Sequence, residues 1–160
     1  MDVVGGGESS TTTATLPSTG FFVDSAVQGL TYKGTQSGVT GSDGSYSFIG
    51  TDRVEFLLGN SLSLGSLVPK TTQVSVLDFF DNAKTVDDPE IQNLLVLLQS
   101  LDFDGDVSNG ITILEETITI LEAQLLLLYP GADLTTFDFT TMALVDLNTL
   151  LTNVVAATPG

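Results

Sequence analysis

The sequence contains no histidine, no cysteine and no tryptophan. Without histidine the chain has neither the usual general base near neutral pH nor a Ser-His-Asp arrangement, and it lacks the commonest ligand of transition metals. Without cysteine it has no disulfides and no thiol chemistry. These absences exclude many enzyme mechanisms, and we therefore expect a protein that is not an enzyme.

Basic residues are also scarce. Lys and Arg together number 4 against 20 Asp and Glu, so the net charge is −16. Such a chain repels phosphate backbones and anionic lipid headgroups, because binding to them needs clustered cationic groups. Nucleic acid is therefore not an expected partner, whereas divalent cations are. Since hydrophobic residues still make up 42% of the chain, near the globular average, the sequence predicts a folded protein and not a disordered polyacid.

Long hydrophobic runs are absent as well. Apolar runs such as residues 125–129 are far shorter than the roughly 18 residues that a transmembrane helix needs, and we expect no membrane span. No basic segment followed by an apolar one opens the chain, so we expect that any secretion signal was removed or never present. The length of 160 residues fits one folding unit with a real core.

The first two parts of the chain differ in composition. Residues 1–19 are rich in Gly, Ser and Thr, which predicts a flexible tether; the alternative is a donor strand that adds to the sheet edge of a neighbouring copy and so builds a filament. In residues 20–80 apolar and polar positions alternate between glycine turns, and Asp43-Gly44 directly before Tyr46 and Phe48 is typical of a hairpin. We predict a small antiparallel β-sandwich there, of the prealbumin or immunoglobulin type.

Residues 81–160 change to a helical period. Asp87 before Pro89 predicts a helix start, and leucines follow at helical spacing. Thr112 with Glu115 resembles a second capping box, although the letters "TITI" after it also fit a strand. A third helix is predicted from one stripe of apolar residues, Leu144, Leu147, Leu151 and Val154. The fold class is thus α+β, with about three helices packed on the sheet, and we expect both parts to form one folding unit.

An acidic segment, "LDFDGDVSNGITILEE", joins the first two predicted helices. Asp102, Asp104 and Asp106 stand at alternate positions, and Glu115 follows at the start of the second helix. An EF-hand loop draws oxygens from its first, third and fifth positions, from a backbone carbonyl and from a bidentate Glu. The spacing therefore predicts an EF-hand-like calcium site formed by these four carboxylates, with the Asn109 carbonyl as a further ligand.

The interior of this segment departs from an EF-hand loop. The Asp-to-Glu separation is two residues longer, Gly105 stands at position four instead of six, and "SNG" at 108–110 looks like the inserted piece. The alternative is a solvated acidic turn, because Asp is frequent in turns. Ca²⁺ suits converging carboxylates better than Mg²⁺, which keeps its waters. We expect a structural ion that neutralises clustered charge and joins the two leucine-rich helices.

Several short motifs follow one another along residues 20–113. They are "GFFVDSAVQGLTY" at 20–32, "DGSYSF" at 43–48, "VEF" at 54–56 and "LQSLDFDGDVSNGI" at 98–111. In this order they resemble the modular domains of bacterial surface lipoproteins and large secreted adhesins. The resemblance implies export, a cell-surface or extracellular location, and a non-catalytic structural or adhesive role. Members of that family usually begin with a lipid-carrying Cys before a Gly/Ser tether, whereas here Val4 precedes Gly5-Gly6-Gly7 and no Cys is present.

One competing interpretation is a glycosidase. Hydrolysis of glycosidic bonds by two carboxylates needs neither His nor Cys. The candidate pairs are Asp78 with Asp81, or Asp87 with Asp88, and they are candidates only because they are acidic. The absence of Trp removes the usual platform on which sugars stack, which argues against this interpretation.

Another competing interpretation is a carbohydrate- or peptide-binding module. Such a module would present exposed aromatic side chains, and Tyr32 and Tyr46 are the candidates. A position in the core or on the strand surface is the alternative for both residues. Their exposure therefore decides whether these two tyrosines could form a binding surface.

Overall fold

A computed structural model describes residues 16–23, 26–80, 85, 87–102 and 110–157. Within these ranges the chain has an α+β fold, which confirms the predicted class. The strands are β1 (Ser18–Phe22), β2 (Val27–Gln28), β3 (Thr31–Lys33), β4 (Ser37–Val39), β5 (Ser45–Phe48), β6 (Val54–Leu58), β7 (Leu62–Leu67), β8 (Gln73–Val74) and β9 (Ile111–Thr112). The α-helices are α1 (Pro89–Ser100), α2 (Glu115–Leu128) and α3 (Leu144–Ala157), and short 3₁₀ helices cover Val76–Phe79 and Phe139–Thr141.

The strands of the described residues form three open sheets. The largest is antiparallel, in the order β4-β3-β6-β7. In the second sheet β1 lies between β5 and β8, antiparallel to β5 and parallel to β8. The third sheet pairs β2 with β9 in parallel and so connects the strand region with the segment that precedes α2. The first strand begins at Ser18, two residues before the predicted start of the β region.

Aromatic side chains from the two larger sheets meet in the core. The ring centroids of Phe22 in β1 and Phe56 in β6 are 5.0 Å apart, and Tyr46 in β5 lies 5.1 Å from Phe56 in an edge-to-face arrangement. None of these three side chains is more than 1% exposed. An aromatic pair of this kind contributes about 0.5 to 1.5 kcal/mol beyond the apolar area that it buries. The alternation seen in the sequence therefore directs these rings into one shared core.

The turn predicted at Asp43-Gly44 is present, but the strands on its two sides, β4 and β5, belong to different sheets, so the predicted hairpin is wrong. Gly44 has a φ of 79°, which glycine adopts without strain, and its amide donates to the carbonyl of Gly41 at 2.8 Å. The Asp43 carboxylate accepts a hydrogen bond from the Ser45 amide at 3.0 Å, and its hydrogen bonds with Ser45 hold the pKa of Asp43 below its usual value. A Cβ at position 44 would collide with the carbonyl oxygen of Phe22. Both the conformation and the available space therefore require glycine.

Helix α1 begins after Asp88, which is the N-cap, so the capping role predicted for Asp87 is wrong. Pro89 takes the first helical position. An N–H group at this position would have no partner within the helix, so proline loses no hydrogen bond there. The Asp88 carboxylate accepts from the amide of Thr85 at 2.8 Å and makes no cap bond to the helix. The predicted apolar stripe is largely confirmed, since the helix buries Ile91, Leu94 and Leu98.

Helix α1 also buries a polar side chain that the apolar pattern does not indicate. Asn93 is 3% exposed. Its amide Nδ2 donates to the carbonyls of Phe139 and Met142 at 2.9 Å each, and lies 3.5 Å from that of Thr140. These bonds offset the cost of burying an amide. The 3₁₀ helix between α2 and α3 is thereby attached to α1.

Helix α2 is confirmed as a helix, but it does not begin with the predicted capping box. Leu114 is the N-cap and makes no side-chain bond to the helix. Thr112 lies in β9, where it pairs with Gln28, so the predicted capping role of Thr112 is wrong. The strand pairing with a distant part of the chain overrides the local capping preference at this position.

Helix α3 faces the core with a slightly different stripe from the predicted one. Its buried residues are Leu147, Leu150, Leu151 and Val154, whereas Leu144 is 47% exposed. The shift follows from the packing of α3 on α2 and α1, which selects the face that is buried. No helix within the described ranges combines the length and the apolar character needed to cross a bilayer.

Candidate functional site

The structure describes two of the five predicted metal ligands. Asp102 directly follows the C-cap of α1, Leu101, and Glu115 is the first residue of α2. The other three, Asp104, Asp106 and Asn109, lie outside the described residues. Among the described residues no group of three or more acidic, histidine or cysteine side chains is placed to hold a metal ion. The calcium site therefore stays a prediction.

The carboxylate of Asp102 is the most constrained part of the predicted site. The residue is 9% exposed, although Asp is a residue that is rarely buried. Its Oδ1 accepts a hydrogen bond from the backbone amide of Thr112 at 2.8 Å. Hydrogen bonds from N–H groups to a charged oxygen are among the stronger ones in proteins. This bond joins the residue that follows α1 to the strand that precedes α2.

The strand after the acidic segment is fixed to the β region. The amide of Ile111 donates to the carbonyl of Ala26 at 2.8 Å, and that of Ile113 donates to Gln28 at 3.0 Å. Gly110, the residue before this strand, has a φ of 93°, and a Cβ there would lie 3.1 Å from the Ala26 oxygen. A positive φ at this position agrees with the turn that Asn109-Gly110 predicts. Both ends of the segment from Asp102 to Gly110 are therefore anchored.

Glu115 lies at the N-terminus of α2 with an exposed side chain. Glu116 follows it in the same first turn and is also exposed. The unpaired N–H groups at a helix N-terminus carry partial positive charge, which favours carboxylates there. This electrostatic preference explains why both residues in the first turn are acidic, even if no metal binds there. Glu116 therefore offers a matched comparison for any metal-binding role of Glu115.

A groove of about 1060 Å³ opens beside the start of α2, and no sequence pattern indicates it. One wall is the first part of α2, and the other is formed by β3, β4 and the turn between β6 and β7. A Cβ built on Gly59 in that turn would lie 3.0 Å from Cγ2 of Ile118 and 3.9 Å from Oε2 of Glu122. Helix α2 therefore packs closely on the turn. The charged side chains of the groove are those of Lys33, Glu115 and Glu122.

The tyrosines considered for a binding surface lie in the core. Tyr32 is 8% exposed and Tyr46 is 1% exposed, and their rings are 6.1 Å apart in an edge-to-face arrangement. Burial raises the pKa of Tyr46, whose hydroxyl lies 3.5 Å from the backbone of Lys70. Neither ring can serve as an exposed stacking platform, so the interpretation of these two residues as a binding surface is wrong.

The carboxylates considered for glycoside hydrolysis have structural partners where the structure describes them. Asp78 accepts from the Ser75 amide at 2.8 Å within a capping box and lies 3.4 Å from Nζ of Lys70. Asp87 and Asp88 stand at the start of α1, and Asp81 lies outside the described residues. These partners account for the positions of Asp78 and Asp88 without a catalytic role.

Comparison with known proteins found no matching family model, no similar curated protein and no similar solved structure. The resemblance of the short motifs to surface lipoproteins and adhesins therefore stays a prediction.

Proposed function

We propose that this protein is a non-catalytic, calcium-stabilised module that acts outside the cell or at its surface in a structural or adhesive role. In this proposal Ca²⁺ binds an EF-hand-like loop between α1 and α2, with Asp102, Asp104, Asp106 and Glu115 as carboxylate ligands. The Asn109 carbonyl supplies a further oxygen. All of these ligands are hard oxygens, the type that Ca²⁺ prefers.

The single observation that carries the proposal is the buried carboxylate of Asp102 and its hydrogen bond to the Thr112 amide. A flexible acidic turn would leave its first Asp in solvent, where a charge costs least. Here the first position of the predicted loop is fixed at the end of a helix. The bond to Thr112 closes the segment that contains the remaining Asp residues, which favours the convergence of their oxygens on one ion.

The place of this segment in the fold supports a structural role for the ion. The segment begins where α1 ends, and it leaves through β9, which pairs with β2. An ion that gathers the carboxylates would therefore stabilise the contact between the helices and the strand region. Metal binding of this kind adds directly to the free energy of unfolding, because the unfolded chain offers no preformed site.

Contacts between the two larger sheets support the finer prediction of a sandwich. Phe22 and Tyr46 belong to the sheet around β1, and both contact Phe56 of the four-stranded sheet. Inner faces that share one core are the defining feature of sandwiches. The surface or extracellular location rests on the motif resemblance alone.

Thermal unfolding in the presence of calcium or of a chelator tests the proposal. A ligand at about a hundredfold excess over its Kd adds about 2.7 kcal/mol, which should raise the Tm of a protein of this size by roughly 5 to 10 °C. We expect this rise in millimolar CaCl₂ relative to excess EDTA, followed by circular dichroism. An unchanged Tm would show that the segment is a plain acidic turn.

Matched variants separate metal ligation from general charge effects. Glu115→Gln and Glu116→Gln each remove one negative charge from the exposed first turn of α2. We expect Glu115→Gln to reduce the calcium-dependent rise in Tm, and Glu116→Gln to leave it unchanged. The double variant Asp104→Asn with Asp106→Asn should abolish the rise. Equal effects of Glu115→Gln and Glu116→Gln would contradict the assignment of Glu115 as a ligand.

A further inference from the structure

The groove beside α2 has an acidic helical wall. Glu115 and Glu122 are separated by two helical turns and therefore lie on the same face of α2. Ile118, which is 6% exposed, lies between them on that face. Glu122 is only partly exposed, which limits the screening of its charge by solvent. This wall would attract a cationic group and repel an anionic one.

The opposite wall includes β4, the outermost strand of the four-stranded sheet. In the pairing of β4 with β3, the amide of Thr40 donates to Leu30 at 2.8 Å, and Gly38 pairs with Tyr32. Because polar groups alternate in direction along an antiparallel strand, those of Ser37 and Val39 point away from β3. Outward N–H and C=O groups on an edge strand are the groups that bind an added extended segment.

Val39 adds an apolar contact to this edge. Its side chain is 61% exposed, although Val is among the residues that are most often buried. The groove also contains the basic side chain of Lys33. Lys33 stands opposite Glu55 in the pairing of β3 with β6, and within the groove one Lys faces two Glu side chains. The excess charge of the groove is therefore negative and lies on α2.

We propose that this groove binds an extended segment of a partner protein that carries basic side chains. The partner backbone would bond to the outward groups of β4, an apolar side chain would contact Val39, and a Lys or Arg side chain would lie near Glu122. This inference goes beyond the calcium-stabilised module, since it assigns a partner chemistry to the groove between β4 and α2. Glu115, a ligand in the calcium proposal, also lines this groove. With Glu115 bound to calcium, Glu122 is the carboxylate of α2 that remains to meet a cationic side chain.

The N-terminal segment of a second copy of this chain fits the groove less well. Residues 1–15 contain Asp2 and Glu8 and no Lys or Arg. Such a segment would bring negative side chains to an acidic wall in a molecule that already carries a net charge of −16. Charge complementarity therefore favours a basic partner over self-association through this groove.

A synthetic peptide tests the proposal by fluorescence anisotropy with the full chain. The probe is a fluorescein-labelled peptide of alternating Val and Lys, which places all lysines on one face of an extended strand. Glu122→Gln should weaken its binding about threefold to fivefold, as the loss of a partly exposed ion pair does. Glu116→Gln, which gives the same net charge outside the groove, should leave the affinity unchanged. Equal weakening by both variants would show unspecific attraction to an acidic protein and overturn the proposal.

A second pair of variants tests the edge strand. Val39→Lys adds a positive charge to the β4 wall, and Val155→Lys adds the same charge on α3, where the native side chain is 63% exposed. We expect only Val39→Lys to weaken binding of the probe. If an unlabelled peptide of residues 1–15 displaces the probe, the groove instead serves self-association and the proposal fails. Glu122→Gln should preserve the calcium-dependent rise in Tm, so the groove and the calcium site can fail separately.

Discussion

The strand region, residues 18–74, and the helical region, residues 89–157, are connected internally in different ways. The strand region has an aromatic core and short turns. Its buried polar residue Thr40 bonds to residues that are 10 and 13 positions away in the sequence. Its Oγ1 donates to the Val27 carbonyl at 2.7 Å and accepts from the Leu30 amide at 3.0 Å. The helical region has a leucine-rich core, and its buried Asn93 bonds to carbonyls 46 to 49 residues away. Turns are therefore specified locally in the strand region, whereas the connection between α2 and α3 depends on a distant side chain.

The largest loss of stability is expected from Asn93→Leu in the helical region. The substitution keeps a similar volume but removes the donor from the buried carbonyl of Phe139 and the partly buried carbonyl of Met142. An unsatisfied buried acceptor costs about 1 to 3 kcal/mol, and we expect a loss of about 2 to 3 kcal/mol in urea unfolding. Asn153→Leu makes the same change at an exposed position of α3 and should change stability by less than about 0.5 kcal/mol. Equal effects of the two variants would remove Asn93 as the anchor of this connection.

A smaller difference between a variant and its matched control is expected for Gly44→Ala in the strand region. Gly44 and Gly131 have similar φ values, 79° and 83°, but a Cβ at Gly44 would collide with Phe22 and one at Gly131 would meet no atom within 4 Å. Both alanine variants should lose about 1 kcal/mol because of the left-handed backbone. The additional collision should make Gly44→Ala less stable by about 1 to 2 kcal/mol more. If both lose the same amount in urea unfolding, local conformation alone determines the Asp43-Gly44 turn.

The smallest effect is on the pH dependence of stability, and we expect it in both regions. Hydrogen bonds from Ser45 lower the pKa of Asp43, and those from Thr135 lower the pKa of Asp133, each from a reference of 3.8. A lowered native pKa stabilises the fold above the unfolded pKa, and this stabilisation is lost as pH falls through the native value. Asp43→Asn and Asp133→Asn should therefore each flatten the decrease in stability below about pH 4. An unchanged pH profile of unfolding would contradict the lowered pKa values.

Sequence patterns predicted the local elements well. The apolar period indicated α1, α2 and α3, and the Asp43-Gly44 pair indicated a turn that the structure contains. The period failed where contacts decide the buried face, as with exposed Leu144 and buried Leu150. The predicted capping box failed at Thr112, because pairing with Gln28 makes that residue part of a strand.

In the candidate site, too, local sequence predicted some features and tertiary contacts determined the others. The alternate spacing of Asp102, Asp104 and Asp106 was visible in the sequence, but the bond from Thr112 to Asp102 was not. That bond requires β9 to be positioned by β2, a contact between residues far apart in the chain. The groove was not predictable either. Its walls come from β3, β4 and α2, and the local sequence of these elements does not show that they lie side by side.

The sequence by itself determined the acidic charge, the change from a strand pattern to a helical pattern, the Asp43-Gly44 turn and the spacing of the carboxylates, because each depends on residue type and on neighbours within a few positions. Only the tertiary structure decided that Tyr32 and Tyr46 are buried, that Asn93 anchors the segment before α3, and that Asp102 is held by Thr112. These features depend on which surfaces pack against each other, and the free energy that selects one packing is shared among residues distant in the chain.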